Sequence, residues 1–300
     1  MTEDFHPELR RVARFLPRAV LSERLLPLHR AAGTLIGKVA SKKAPVFAAG
    51  SVSVRLHRPA TAPAGRLPGL LWIHGGGYVA GTAAGDDFMC KLFAESLGIV
   101  VAAVDYRLAP DYHFPVPLED CYDGLRWLAR HESVDPTRLA IGGASAGGGL
   151  AAALALLARE RAEVALRLQL LAYPMLDDRT ALRTDIDETN IRGWTNKSNA
   201  FGWRAYTGFA PGSDEVSQLA APGRCQDFAG LPPCWLGVGT LDLFYDESVV
   251  YAKGLQGAGV PCQLDVVPGA FHGFDMISRK AEVSKAFRAS QLKALADALC

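Results

Sequence analysis

Ser145 lies in Gly143-Ala144-Ser145-Ala146-Gly147, a G-x-S-x-G spacing in which a serine hydroxyl can act as a nucleophile. Arg138-Leu139-Ala140-Ile141 before it is a short run with strand character. The Ala/Leu-rich run after it, to about Arg161, has helix character. A strand that turns sharply into a helix at a serine forces that residue into backbone strain and leaves its hydroxyl exposed above the helix N-terminus. Glycines on both sides remove the Cβ atoms that would collide there. A turn that merely packs a helix closely on a sheet uses the same small residues, so the rest of the chain has to decide between the two.

Serine is a weak nucleophile until a base takes its proton, and the usual base is an imidazole held by a carboxylate. In this architecture the partners follow in the order serine, acid, histidine, and functional side chains gather at the carboxyl ends of strands. Of the seven histidines, His6, His29 and His57 precede the central strands. His74 opens a glycine run before the serine, His113 is in a Pro-rich loop and His131 ends a helix. Only His272 has both the order and the place, after the apolar run 263–267. Asp242 follows the run 235–239. Asp246 and Glu247 fit the start of a helix, Asp265 falls in mid-strand, and Asp275 is too near His272 in sequence to orient it easily. Attack on a carbonyl develops an oxyanion that needs donors placed beforehand. His74-Gly75-Gly76-Gly77 closes another apolar run, so Gly75, Gly76 and Gly77 offer backbone N–H groups with no side chains in the way, and Ala146 offers one more.

The elements that must carry these residues alternate. Apolar runs at 69–73, 99–104, 166–171, 234–239 and 262–267 have strand character. Runs at 86–97, 115–131, 246–258 and 282–299 have helix character. That rhythm predicts an α/β fold with a mostly parallel central sheet and helices on both faces. Residues 51–57 alternate as an edge strand does, and 59–68 form a turn region. Two stretches fall outside the rhythm. Residues 5–45 are helical in character and broken at Pro17 and Pro27, and 177–212 are polar and aromatic. The expected division is an N-terminal helical cap segment (1–48), a first catalytic part (49–176), a cap insertion (177–212) and a second catalytic part (213–300). The cap carries large apolar groups, among them Phe15, Leu25 and Leu26. Tyr78, Trp194, Phe201 and Trp203 are the candidate walls of a substrate pocket.

Three hundred residues at 49% hydrophobic content are ample for a large core, and a net charge of +1 gives no reason to expect nucleic acid or an anionic membrane as partner. Arg10, Arg11, Arg14 and Arg18, spaced among Val12, Phe15 and Leu16, fit the wet face of an amphipathic helix. The start is acidic with no apolar run behind it, and no run has the length and flanks of a membrane span. The six cysteines are scattered without a C-x-x-C pair, so no metal is expected and a reducing, cytoplasmic setting is. Residues 262–267, apolar at Leu264, Val266 and Val267, could form a sheet edge through which two copies pair.

The chain from about Leu70 onward resembles the hormone-sensitive-lipase-like (family IV) carboxylesterases of the α/β-hydrolase fold. The resemblance rests on His74-Gly75-Gly76-Gly77, Asp105-Tyr106-Arg107-Leu108-Ala109-Pro110, Phe114-Pro115 with Leu118-Glu119-Asp120, and Gly143-Ala144-Ser145-Ala146-Gly147-Gly148. It also rests on Asp242 with Asp246-Glu247, and on His272-Gly273-Phe274. It implies a Ser145–Asp242–His272 triad, an oxyanion hole drawn foremost from Gly76 and Gly77 with Ala146, a helical cap and no cofactor. Asp105, Arg107 and Glu119 are expected to hold loops. Two departures stand out: Ala144 replaces the family's usual Asp or Thr, and Asp242-Leu243-Phe244 replaces Asp-Pro-Leu. The expected function is hydrolysis of short- to medium-chain acyl esters through an acyl-enzyme. The alternatives are an amidase or deacetylase on the same triad, and a non-catalytic ligand-binding relative.

Overall fold

The computed structural model describes residues 4–19, 21, 23–40, 44–61 and 65–300. After α1 (Arg10–Phe15) and α2 (Leu26–Ala40), the chain enters the sheet at β1 (Val46–Ala49) and β2 (Val52–His57). It then alternates through β3 (Leu67–Ile73), α3 (Asp87–Leu97), β4 (Val100–Asp105), α4 (Val116–Arg130), β5 (Val134–Ala144), α5 (Ala146–Arg161) and β6 (Leu168–Ala172). After α6 (Asn196–Thr207) come β7 (Cys234–Leu241), α7 (Tyr245–Gly257), β8 (Cys262–Phe271), α8 (Phe274–Ile277) and α9 (Glu282–Leu299).

The eight strands form one sheet in the order β1-β2-β4-β3-β5-β6-β7-β8. β1 with β2 and β2 with β4 are antiparallel; every other pairing is parallel. α3 and α9 pack together on one face, and α4, α5 and α7 cover the other. This is the α/β-hydrolase fold. β3, β4 and β6 are buried along nearly their whole length, which is why they read as continuous apolar runs. The carboxyl ends of β3, β5, β7 and β8 lie along one edge of the sheet. Each leads into a candidate residue: the glycine run, Ser145, Asp242 and His272 respectively.

Several expectations shift. The outermost strand is β1, so residues 51–57 are not the edge, and the expected 48/49 boundary cuts through β1. β1 is only four residues long with three of them exposed, which leaves too little alternation to register as a strand. β8 extends to Phe271 and forms the opposite edge; Val266 is exposed there, whereas Leu264 and Val267 are half-buried. The 177–212 insertion holds a single α-helix, α6, with a 3₁₀ turn at Asp178–Leu182. Among the described residues no helix is long and apolar enough to cross a membrane.

Of the large apolar residues expected in the N-terminal segment, Leu26 is buried, whereas Phe15 and Leu25 are not. Phe15 is 80% exposed and Leu25 48%. Phe5, Leu9 and Ala13 are buried instead. The His6 N–H donates to Gly269 O at 2.9 Å, and the Phe5 ring meets Phe271 edge-on with centroids 6.2 Å apart. The segment is therefore docked on the strand that ends beside His272. Phe5→Ala should lower stability by about 3 kcal/mol, the usual cost of emptying a buried aromatic site. Urea unfolding would check it; a variant as stable as the parent would show that this docking adds nothing to the fold.

Candidate active site

Ser145 adopts φ +58° and ψ −123°, a conformation L residues rarely take, at the junction of β5 and α5. The surrounding glycines are what allow it. A Cβ on Gly143 would stand 2.4 Å from the Gly147 backbone, and one on Gly147 would stand 2.0 Å from Ile73 O. The turn is tied to β6, with the Ser145 N–H donating to Ala172 O at 2.9 Å and Ser145 O accepting from the Met175 N–H at 3.0 Å.

The structure brings Ser145, Asp242 and His272 into one line of hydrogen bonds. His272 Nε2 is 2.9 Å from Ser145 Oγ, and His272 Nδ1 is 2.8 Å from Asp242 Oδ2. The Asp242 side chain is fully buried, and its other oxygen accepts the Phe244 N–H at 2.9 Å. That turn is local to Asp242-Leu243-Phe244, so Leu in place of the family's Pro still leaves the acid held. Tyr173 and Phe244 meet the His272 ring edge-on, with centroids 5.0 and 5.2 Å away.

The glycine run turns beside the serine. A Cβ on Gly75 would come within 3.2 Å of Ser145 Cβ. Gly76 and Gly77 have φ of +117° and +61°, and Gly76 O accepts the Val79 and Ala80 N–H groups. Among the described residues nothing accepts from the Gly76 or Gly77 N–H. The Ala146 N–H is at the first helical position, where no intrahelical partner exists. His74 shapes this turn and is no rival base. It is 2% exposed, its Nδ1 lies 2.8 Å from Gly75 O, and its ring stacks on Tyr106 at 4.3 Å.

The four candidate pocket residues divide. The Trp194 ring presses on Gly77, whose Cβ would stand 2.1 Å from Trp194 Cη2, and the adjoining Gly193 faces the His272 carbonyl. Phe201 is half-buried on α6. Tyr78 and Trp203 do not fit as walls. Both are fully buried, with Tyr78 OH donating to Met175 O at 3.0 Å and its ring stacked on Tyr206 at 4.1 Å. They support the glycine turn and α6 from within. The two stretches outside the strand–helix rhythm also meet. Ser198 Oγ donates to Leu21 O at 2.7 Å, Arg192 Nε to Ala13 O at 3.0 Å, and the Gly193 N–H to Pro17 O at 3.2 Å.

Other motif residues act as braces. Asp105 accepts the Ala83 N–H at 2.7 Å, Arg107 forks onto buried Asp120, and Glu119 pairs with Arg161. Glu247, expected only to begin a helix, is buried. It accepts from the Leu176 N–H at 2.7 Å and from the Thr180 hydroxyl, which pins the start of the insertion. Burial pushes its carboxyl well above the usual range, opposed by those hydrogen bonds. Its place after Asp242 in Asp246-Glu247 was the available signal.

Position 144 borders a cavity of about 20 Å³ whose walls include Tyr173, Asp86, Asp275 and Gln291. Burial pushes the carboxyls of Asp86 and Asp275 up, opposed first by the Trp72 N–H and the Tyr173 hydroxyl respectively. A side-chain carboxyl at 144 would be a third one in that space, which gives Ala144 a physical reason.

Residues 70–276 match the alpha/beta hydrolase fold family. The chain is 34% identical over 229 residues to an ethyl acetate hydrolase of Pseudomonas putida, covering 75% of this chain and 71% of that one. It is 42% identical over 287 residues to an arylacetamide deacetylase of Oryctolagus cuniculus, covering 74% and 72%. Among solved structures it is similar to a bacterial heroin esterase, with a TM-score of 0.88 and 37% identity over 100% of this chain and 99% of that one.

Ala144→Asp should destabilise the fold by about 2 kcal/mol, the order of cost for burying a polar group, here a third carboxyl beside Asp86 and Asp275. The deficit should widen as pH rises, because burial penalises the ionised form, and narrow as protonation neutralises it. Urea unfolding at acid and neutral pH would measure it; a variant matching the parent at both would remove this explanation of Ala144.

Proposed function

Because the chain belongs to the alpha/beta hydrolase fold family, in its hormone-sensitive-lipase-like branch, we propose that it hydrolyses carboxylic esters of short to medium acyl chain through an acyl-enzyme on Ser145. It is a carboxylic ester hydrolase, as the ethyl acetate hydrolase and the heroin esterase similar to it are by name. The observation that carries the acyl-enzyme reading is the continuous hydrogen-bonded line from buried Asp242 through His272 to the strained Ser145, beside glycine N–H groups that no acceptor among the described residues engages.

In this reading His272 Nε2 takes the Ser145 proton as Oγ attacks the ester carbonyl. Asp242 stays ionised, fixes the imidazole tautomer by accepting from Nδ1, and stabilises the imidazolium that forms. The Gly76, Gly77 and Ala146 N–H groups receive the oxyanion. His272 then returns its proton to the leaving alkoxide, and water repeats the sequence to release the acid. Trp194, pressed on Gly77 beside the donors, is the favoured limit on acyl length. The N-terminal segment and the 177–212 insertion would act together as the cap. Pairing of two copies along the β8 edge belongs to the same reading.

The similarity to an arylacetamide deacetylase favours amide cleavage as a second reading, since the same groups could protonate a leaving amine. A matched pair of acetyl ester and acetyl anilide separates the two: esterase chemistry is expected to leave the anilide far slower.

Ser145→Ala should fold normally and lose several orders of magnitude in kcat, on the order of 10⁴ to 10⁶ by analogy with other triads. Retention of a tenth of the parental rate would exclude Ser145 as nucleophile. Across a series of p-nitrophenyl esters, kcat/KM should peak at short to medium chains, with about 0.8 kcal/mol gained per methylene that fits and a steep fall for long ones. Trp194→Ala should move the peak to longer chains; an unchanged profile would place the acyl group elsewhere.

A further inference from the structure

Two hydrogen bonds hold His272, one at each ring nitrogen, and together they define an axis about which the ring can still tilt. Two rings limit that tilt. Phe244 is placed by the turn that also holds Asp242. Tyr173 is placed by a separate set of contacts. Its backbone N–H donates to Gly237 O at 2.7 Å, its φ is +38°, and the Phe287 ring of α9 lies parallel to it at 6.2 Å. A non-glycine residue keeps such a φ only where its surroundings over-determine it.

The Tyr173 hydroxyl donates to Asp275 Oδ1 at 2.8 Å. Asp275 is 2% exposed and lies in α8, three residues beyond His272, where buried Arg288 donates to its backbone carbonyl at 2.8 Å. The residue before Tyr173, Ala172, accepts the Ser145 N–H at 2.9 Å. Two consecutive residues at the end of β6 thus grip both halves of the site, one through the serine backbone and the other through the histidine loop.

We propose that Tyr173 and Asp275 are positioning residues whose hydrogen bond clasps the His272 loop to the end of β6 and so sets the approach of His272 Nε2 to Ser145 Oγ. This rests on the reading of Ser145, Asp242 and His272 as the catalytic triad. Burial pushes the Tyr173 hydroxyl well above its ordinary range, which favours the protonated form that donates this bond. No other hydrogen bond joins the Tyr173 side chain to the chain among the described residues, so a single oxygen carries the link.

Tyr173→Phe keeps the ring and deletes only that oxygen; Asp275→Ala deletes the acceptor, and Asp275→Asn keeps one. Tyr173→Phe and Asp275→Ala should each lower kcat at least about tenfold with KM within about twofold, because misplacement of a catalytic group by a fraction of an ångström acts on the chemical step. The double variant should be no worse than either single, and Asp275→Asn should recover most of the rate. The proton NMR resonance of His272 Nδ1–H should shift in the two deleting variants. Losses that multiply, or a lowered Tm with parental kcat, would overturn the clasp and leave the pair a purely structural bond. Should Tyr173→Phe fail to fold, the contrast between Asp275→Asn and Asp275→Ala decides the same question. Ser145→Ala in the same assay keeps the two failures apart, since an active Ser145→Ala would undo the triad reading itself.

Discussion

The conformation of Ser145 is the constraint on which the site depends. A serine at φ +58° between a strand and a helix can exist only where the neighbouring backbones come closer than any Cβ would allow. Gly143 and Gly147 supply that closeness, and β3 and β6 press on the turn from either side through Ile73 and Ala172. The strain is held by the sheet, so the hydroxyl is aimed by the packing of β3, β5 and β6 and not by its own side-chain preferences. Everything else at the site is arranged relative to that fixed oxygen.

The parallel sheet then determines which groups can reach it. β7 and β8 run parallel, and a register shift between Gly239 and Leu241 sets Leu241 opposite Phe271, so that their carboxyl ends deliver Asp242 and His272 side by side. The acid is buried and engaged at both oxygens, one by His272 and one by the Phe244 N–H, so its orientation leaves the histidine little choice of tautomer. The glycine run at the end of β3 brings its N–H groups to the opposite side of the serine. The N-terminal segment reaches the same edge by docking Phe5 and His6 on the end of β8, and its hydrogen bonds to the insertion bring both irregular stretches over the sheet's carboxyl edge.

What is legible in the sequence follows from how local each signal is. Ser145, the glycine run and His272 sit in short motifs whose residue types are dictated by the immediate backbone. The alternation of apolar runs points to the parallel sheet because buried strands and their covering helices each leave a periodic trace. The short, exposed β1 leaves almost none. Tyr78 and Trp203 pass for pocket walls because aromatic residues beside a site look alike in sequence whether they face a ligand or a core; only the three-dimensional stack with Tyr206 separates them. Glu247 and the Tyr173–Asp275 pair join positions 71 and 102 residues apart, and no spacing rule reaches so far. The Ala144 departure becomes intelligible only with Asp86 and Asp275 around the same small cavity.

Labelling with an alkyl fluorophosphonate, followed by peptide mass spectrometry, tests most directly whether Ser145 is a nucleophile activated by His272. A phosphonyl adduct should form on the peptide containing Ser145 alone, and in His272→Ala it should form at a small fraction of the parental rate. An adduct on a different residue, or labelling of Ser145 that proceeds equally fast without His272, would contradict the mechanism.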